Sequence, residues 1–196
     1  MTTTTAERIR AHRGPAILAL GFRPFFLAGA VWAALAMLAW LLVLTGRLGL
    51  PVAMGPVDWH VHAFLYGYLP AIAAGFLLTA VPNWTGRLPV TGWPLLALVG
   101  LWLVGRLAVL TGVWLGPLVT AIIDLAFLAG FAVVVARELI AGANKRNLPV
   151  LLLLTLLLIG NAVFHLEVAV AGNAAIGTRL GITGALMLIM LIGGRI

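Results

Sequence analysis

Apolar side chains fill long unbroken runs along this chain, separated by short stretches of charged, glycine and proline residues. Each run is about 18 to 22 residues long, which as a helix at 1.5 Å per residue crosses roughly 30 Å of hydrocarbon. Six such spans are predicted, over about 25–45, 63–81, 93–111, 118–136, 148–166 and 179–196. Short connections make neighbouring helices antiparallel. Residues 1–22 form a polar, then basic tail read as cytoplasmic, and 23–196 form one transmembrane domain. The first apolar run is longer than the roughly 7–15 residues of a cleaved signal segment, so it reads as an uncleaved span. Pro70 falls inside the second span, where it is expected to kink the helix or to free a carbonyl.

Composition fixes the class. Of 196 residues, 63% are hydrophobic and 9% charged, with a mean hydropathy of +1.17, more apolar surface than a soluble domain of this length can bury. The fold class expected is all-α, a polytopic bundle of six transmembrane helices. A net charge of +7 suggests nucleic acid in a soluble protein, but here the basic residues flank the spans and set topology instead. With the amino terminus inside, that side receives Arg8, Arg10, Arg13, Arg23, Arg87, Arg137, Lys145, Arg146 and Arg195. The other side receives Arg47 and Arg179, while Arg106 lies within a span. This asymmetry predicts that both termini are cytoplasmic. Cysteine is absent, which excludes disulfides, thiolate metal sites and cysteine-ligated haem.

Candidate chemistry clusters at one depth. His60 and His62 precede the second span, and imidazole is the commonest protein ligand for transition metals and haem iron. With the orientation above they lie at the outer face, as do Asn161, His165 and Glu167 at the end of the fifth span. Arg106 and Asp124 sit about eight and ten residues from the turn between spans three and four, hence at a similar depth. Each residue has a bland reading beside its functional one. The histidines either ligate a metal or sit among headgroups. If both are helical, His60 and His62 point about 200° apart and serve different centres. Arg106 and Asp124 read first as a buried ion pair, with Arg106 as an anion or propionate contact the alternative. Asn161 and His165 share a helix face at i, i+4; Asn161 either binds a ligand or joins two helices. Tyr66, one turn below His62, is a candidate hydrogen-bond donor. Glu167 is either an interfacial carboxylate or a partner that orients an imidazole. Tyr68 and most tryptophans read as packing or interface anchors, and His12 as a solvated tail residue.

Several segments carry a family resemblance: GFRPFFLAG at 21–29, WHVHAFLYG at 59–67, GFLLTAVPNWTGR at 75–87, NAVFHLE at 161–167 and IGGRI at 192–196. Together they resemble the NnrS family of bacterial membrane proteins over essentially the whole chain, which resembles the amino-terminal half of the longer family members. The resemblance implies a haem- and copper-containing protein of the cytoplasmic (inner) membrane, linked to denitrification and to tolerance of nitric oxide and nitrosative stress. It does not imply whether a reaction is turned over. It implies haem b and copper as cofactors, the lipid bilayer and a nitrosyl ligand as partners, and a missing carboxyl-terminal half or a second copy as a further partner. One departure stands out: the family pattern usually has glutamate after the second histidine, where this chain has Ala63.

The function expected on these grounds places His60, His62 and His165 as metal ligands, with Tyr66, Asn161 and Arg106 around the cofactor. Two other classes compete with it. A six-helix transporter or channel would use Pro70, Gly75 and the Arg106–Asp124 pair along a path. A non-catalytic subunit would act only within a larger membrane complex.

Overall fold

The computed structural model describes residues 14–194. Thr2 to Thr5, Arg8, Arg10, His12, Arg13 and Arg195, which entered the reading of the tail and of the orientation, lie outside the described residues.

The described residues fold as an all-α bundle and contain six helices long and apolar enough to cross a membrane. These are α1 (Phe22–Leu44), α2 (Pro56–Thr85), α3 (Trp93–Leu110), α4 (Pro117–Ala141), α5 (Leu148–Ala171) and α6 (Ala175–Gly193). Proline at the first turn starts α2, α3, α4 and α5, where its missing N–H costs nothing. Left-handed glycines, Gly86 at φ 68° and Gly172 at φ 76°, end α2 and α5. Neighbours in sequence pack as hairpins, α1 on α2, α3 on α4 and α5 on α6. The central helix is α4, which touches α2, α3 and α5. The outermost is α1, whose Leu27, Val31, Leu35, Leu38 and Leu41 are exposed, as side chains facing lipid must be.

Helices α2, α4 and α5 run past the apolar spans read from sequence, because helix length and hydrocarbon length are separate quantities. The second is the clearest case. It starts at Pro56 and carries Asp58 in its first turn, where a carboxylate complements the helix dipole. His60 and His62 are therefore helical residues, one on each side of α2. At the other end the helix continues through Pro82 and Trp84 to Thr85, so the expected turn begins only at Gly86. The disturbance expected from Pro70 takes the form of a π-helical stretch, Ala63–Tyr68, just before it. Two carbonyls in this stretch accept from indoles of other helices: Trp32 Nε1 donates to Ala63 at 2.8 Å and Trp102 Nε1 to Gly67 at 2.9 Å. The widened turn thus has its polar backbone satisfied away from water.

Ion pairs close the end of the bundle that holds the carboxyl ends of α2 and α4. Arg87 Nε donates to Glu138 Oε2 at 2.6 Å and Arg137 Nη2 to Glu138 Oε1 at 2.7 Å. Beside them Asn144 Nδ2 donates to the Trp84 carbonyl at 2.6 Å. At the other end Glu167 caps α6, accepting from the N–H groups of Ile176 at 3.0 Å and Gly177 at 2.7 Å. Both donors belong to the first turn of α6 and have no partner within their own helix. Replacing Glu167 by alanine is expected to cost about 1–2 kcal/mol, with Glu167→Gln retaining part of it. Thermal unfolding in detergent checks this; both variants should keep their metal content.

Candidate metal centre

Four helices each bring one polar face to a common point. On α2, the buried stripe Trp59, His62 and Tyr66 looks into the bundle. On α3, Trp102 and Arg106 are one turn apart and both buried. Asp124 lies on the buried stripe of α4 with Thr120, Phe127 and Phe131. Asn161 and His165 share the inner face of α5. The local sequence that puts a polar residue at each of these points is otherwise apolar, so each helix buries its polar group as part of its packing face.

Asp124 is the hub. Its Oδ1 accepts from Arg106 Nη2. Its Oδ2 is met by three nitrogens: His62 Nε2 at 3.0 Å, His165 Nε2 at 3.0 Å and Asn161 Nδ2 at 2.8 Å. Asn161 Oδ1 also lies 3.1 Å from His62 Nε2. Facing two acceptors, His62 Nε2 carries a proton, and its Nδ1 is buried without a hydrogen-bond partner. Asp124 and His62 are each 1% exposed, Asn161 0%, Arg106 3% and His165 8%. Aromatic rings wall the cluster: Phe164 lies 5.3 Å and Tyr66 5.7 Å from the His62 ring, between centroids.

Two glycines make the cluster possible. At Gly67 a Cβ would stand 2.3 Å from Arg106 Nη1 and 3.0 Å from Trp32 Nε1. At Gly105 it would stand 3.2 Å from Asp124 Oδ1 and 3.3 Å from Asp124 Cα, so the glycine lets α3 and α4 approach closely enough for the ion pair. The Trp32 ring lies 6.0 Å from the Arg106 guanidinium carbon, within cation–π range.

His62, Asp124 and His165 each offer one ligand atom, and these atoms lie within 4.8 Å of one another. Two imidazoles and a carboxylate are a common transition-metal donor set. Three nitrogens around one carboxylate oxygen exceed its two lone pairs, and a cation between them would relieve that crowding. The donor set fits a single ion. It does not fit a porphyrin between the two imidazoles, whose ring centroids are 5.1 Å apart. Two surface grooves, of about 280 and 400 Å³, lie among apolar residues of α1, α2 and α6 and include no histidine.

Residues 16–196 match the family described as NnrS protein. The chain belongs to the NnrS family. No curated protein and no solved structure matches it. Within this NnrS chain the candidate residues separate. His62, His165, Asn161, Arg106 and Asp124 meet, while His60 stands apart: its ring stacks on Trp40 of α1 at 4.4 Å and tilts against Phe64 at 5.1 Å. Tyr66 donates to the Gly177 carbonyl at 2.5 Å and so braces α6 rather than reaching Asp124. Glu167 turns to the start of α6 and orients no imidazole. Asp124 as the shared acceptor of both imidazoles, and the roles of Gly67, Gly105, Trp32 and Trp102, were absent from the sequence reading. The signals for Asp124 were its depth, level with the histidines, and the expected ion pair with Arg106, which the structure shows.

Removing one charge of the Arg106–Asp124 pair should destabilise more than removing both. Asp124→Asn is expected to cost about 3–5 kcal/mol, because the guanidinium stays buried without its counter-ion. The double variant Arg106→Met with Asp124→Leu should lose clearly less than the sum of its singles. Unfolding in detergent, read as a double-mutant cycle, checks the coupling.

Proposed function

We propose that this NnrS chain is an inner-membrane metalloprotein that holds a copper ion between His62, Asp124 and His165 and acts on or senses nitric oxide in nitrosative-stress tolerance or denitrification. The single observation that carries the reading is the convergence of two buried imidazole nitrogens on one carboxylate oxygen, each at 3.0 Å. Family membership supports the link to nitric oxide and to a haem- and copper-containing system. Bound there, copper supplies a redox-active centre with affinity for nitrosyl ligands. Haem, the other cofactor the family resemblance implies, is assigned to none of these residues.

The protein's own groups have defined tasks in this reading. His62 and His165 would offer Nε2 to the ion as neutral rings protonated at Nδ1. Arg106 holds Asp124 ionised and fixed from its far side. Phe164 and Tyr66 exclude water, and Asn161 Nδ2 steadies the carboxylate by donating to Asp124 Oδ2. The distribution of Arg and Lys supports an orientation with both termini inside, which places the cluster in the outer leaflet.

Protein purified from copper- and haem-replete membranes tests the assignment. His62→Ala and His165→Ala are expected to lose most of their copper, while His60→Ala keeps it. Cells carrying the first two variants should also grow more slowly under a nitric-oxide donor. Undiminished copper in both cluster variants would remove the assignment.

A further inference from the structure

We propose that Trp59, Thr120 and His62 together hold a bound water one turn away from Asp124, on the side where α2 and α4 begin. The site goes beyond the metal centre and stands with or without an ion there.

Helix register brings the three side chains to one level. The α2 and α4 helices run parallel, since Arg87, just past the end of α2, pairs with Glu138 near the end of α4. His62 and Asp124 touch, so one turn back along each helix reaches Trp59, about 4.5 Å away along the axis, and Thr120, about 6 Å away. Trp59 shares a buried cluster with Val109, which lies one turn beyond Arg106 on α3. A Cβ on Gly112, in the turn between α3 and α4, would lie 3.5 Å from Thr120 Oγ1 and 3.2 Å from the Ala53 nitrogen. The hydroxyl is therefore beside the segment that leads into α2. Both side chains are sealed from solvent, Trp59 at 1% and Thr120 at 2% exposure. Among the described residues, Trp59 Nε1, Thr120 Oγ1 and His62 Nδ1 all lack a hydrogen-bond partner. Comparable groups elsewhere in the bundle are paired. The Trp32 and Trp102 indoles both donate to carbonyls. Thr79, Thr85, Thr155 and Thr178 each donate to the carbonyl four residues back, whereas the Thr120 hydroxyl does not.

An unpaired buried polar group is costly, and an internal water with about three polar partners is the common remedy. The chemistry of the three groups selects water over an ion. An indole N–H only donates, a threonine hydroxyl does both, and His62 Nδ1 accepts or donates according to where the ring carries its protons. An anion serves only donors and a cation only acceptors, whereas water serves all three. Tyr66 lies one turn from His62 in the other direction, so its aromatic wall and the water site are at different depths. The water gives the His62 ring a second anchor beside its Asp124 contact, so both ring nitrogens are held. Trp59 and Thr120 are positioning residues that act on His62 through it.

Radiolytic hydroxyl-radical labelling of the purified metal-free protein in detergent tests the site. Radicals form from water in place, so a buried side chain beside a bound water is oxidised while one in a dry setting is spared. Trp102 is the internal control, because it is as buried as Trp59, at 1% exposure, and its N–H is taken by the Gly67 carbonyl. Trp59 is expected to be oxidised several-fold faster than Trp102. Thr120→Val removes the hydroxyl with little change of shape, and should bring the Trp59 rate down to that of Trp102. Thr120→Ser keeps a hydroxyl and should keep the fast rate. The sign of the stability change gives a second readout. With a water to bond, Thr120→Val lowers the unfolding midpoint; in a dry site it raises the midpoint, since it removes an unpaired buried hydroxyl. Equal rates for Trp59 and Trp102 in the unaltered protein overturn the inference whether or not the variants fold. A Thr120→Val protein that keeps the fast Trp59 rate, or that unfolds at a higher midpoint, overturns it too. Copper content does not enter these readouts, so failure here is distinguishable from failure of the metal reading.

Discussion

A full positive charge and a full negative charge buried inside an apolar bundle set the terms for everything around them. Neither Arg106 nor Asp124 is tolerable alone in hydrocarbon, and together they must meet without water between them. Close approach of α3 and α4 follows, which needs Gly105, and so does a flat, side-chain-free surface on α2 for the guanidinium, which needs Gly67. The widened turn at Ala63–Tyr68 belongs to the same arrangement, because it presents the carbonyls that hold Trp32 and Trp102 around the arginine. Once Asp124 is fixed on one side, its second oxygen becomes an acceptor that His62, Asn161 and His165 share. Stability and candidate chemistry therefore rest on the same carboxylate.

The arrangement separates two kinds of polar group. Glu138, Asn144 and Glu167 tie helix ends together at the two ends of the bundle, where side chains are partly exposed or capping backbone. The Asp124 cluster lies deeper, is enclosed by Phe164 and Tyr66, and carries an unpartnered imidazole nitrogen on His62.

Much of the fold was legible in the sequence because lipid imposes a length rule on apolar runs, and six of them were visible. Where the helices start and stop was less so. The α2 helix begins at Pro56 and ends at Thr85 against the left-handed Gly86, set by capping chemistry outside the apolar core rather than by hydropathy. The shared depth of His62, Arg106, Asp124, Asn161 and His165 could be counted along the chain, since rise per residue is fixed. Rotation about the helix axis could not be assigned so surely. With His60 and His62 two residues apart, the neighbours that each ring meets depend on which helix packs on which face of α2. The structure gives His60 to Trp40 on α1 and His62 to Asp124 on α4. The part played by Asp124 was hidden for a related reason: a lone aspartate opposite an arginine suggests a pair, and its remaining oxygen is visible only once four helices are placed.

X-ray absorption at the copper edge of the copper-loaded protein tests the central claim most directly. The account predicts a shell of light atoms with the multiple-scattering signature of two imidazoles, a signal that disappears with most of the bound copper in His165→Ala. A shell with sulfur scatterers, or two imidazoles that persist after both His62 and His165 are replaced, would contradict it.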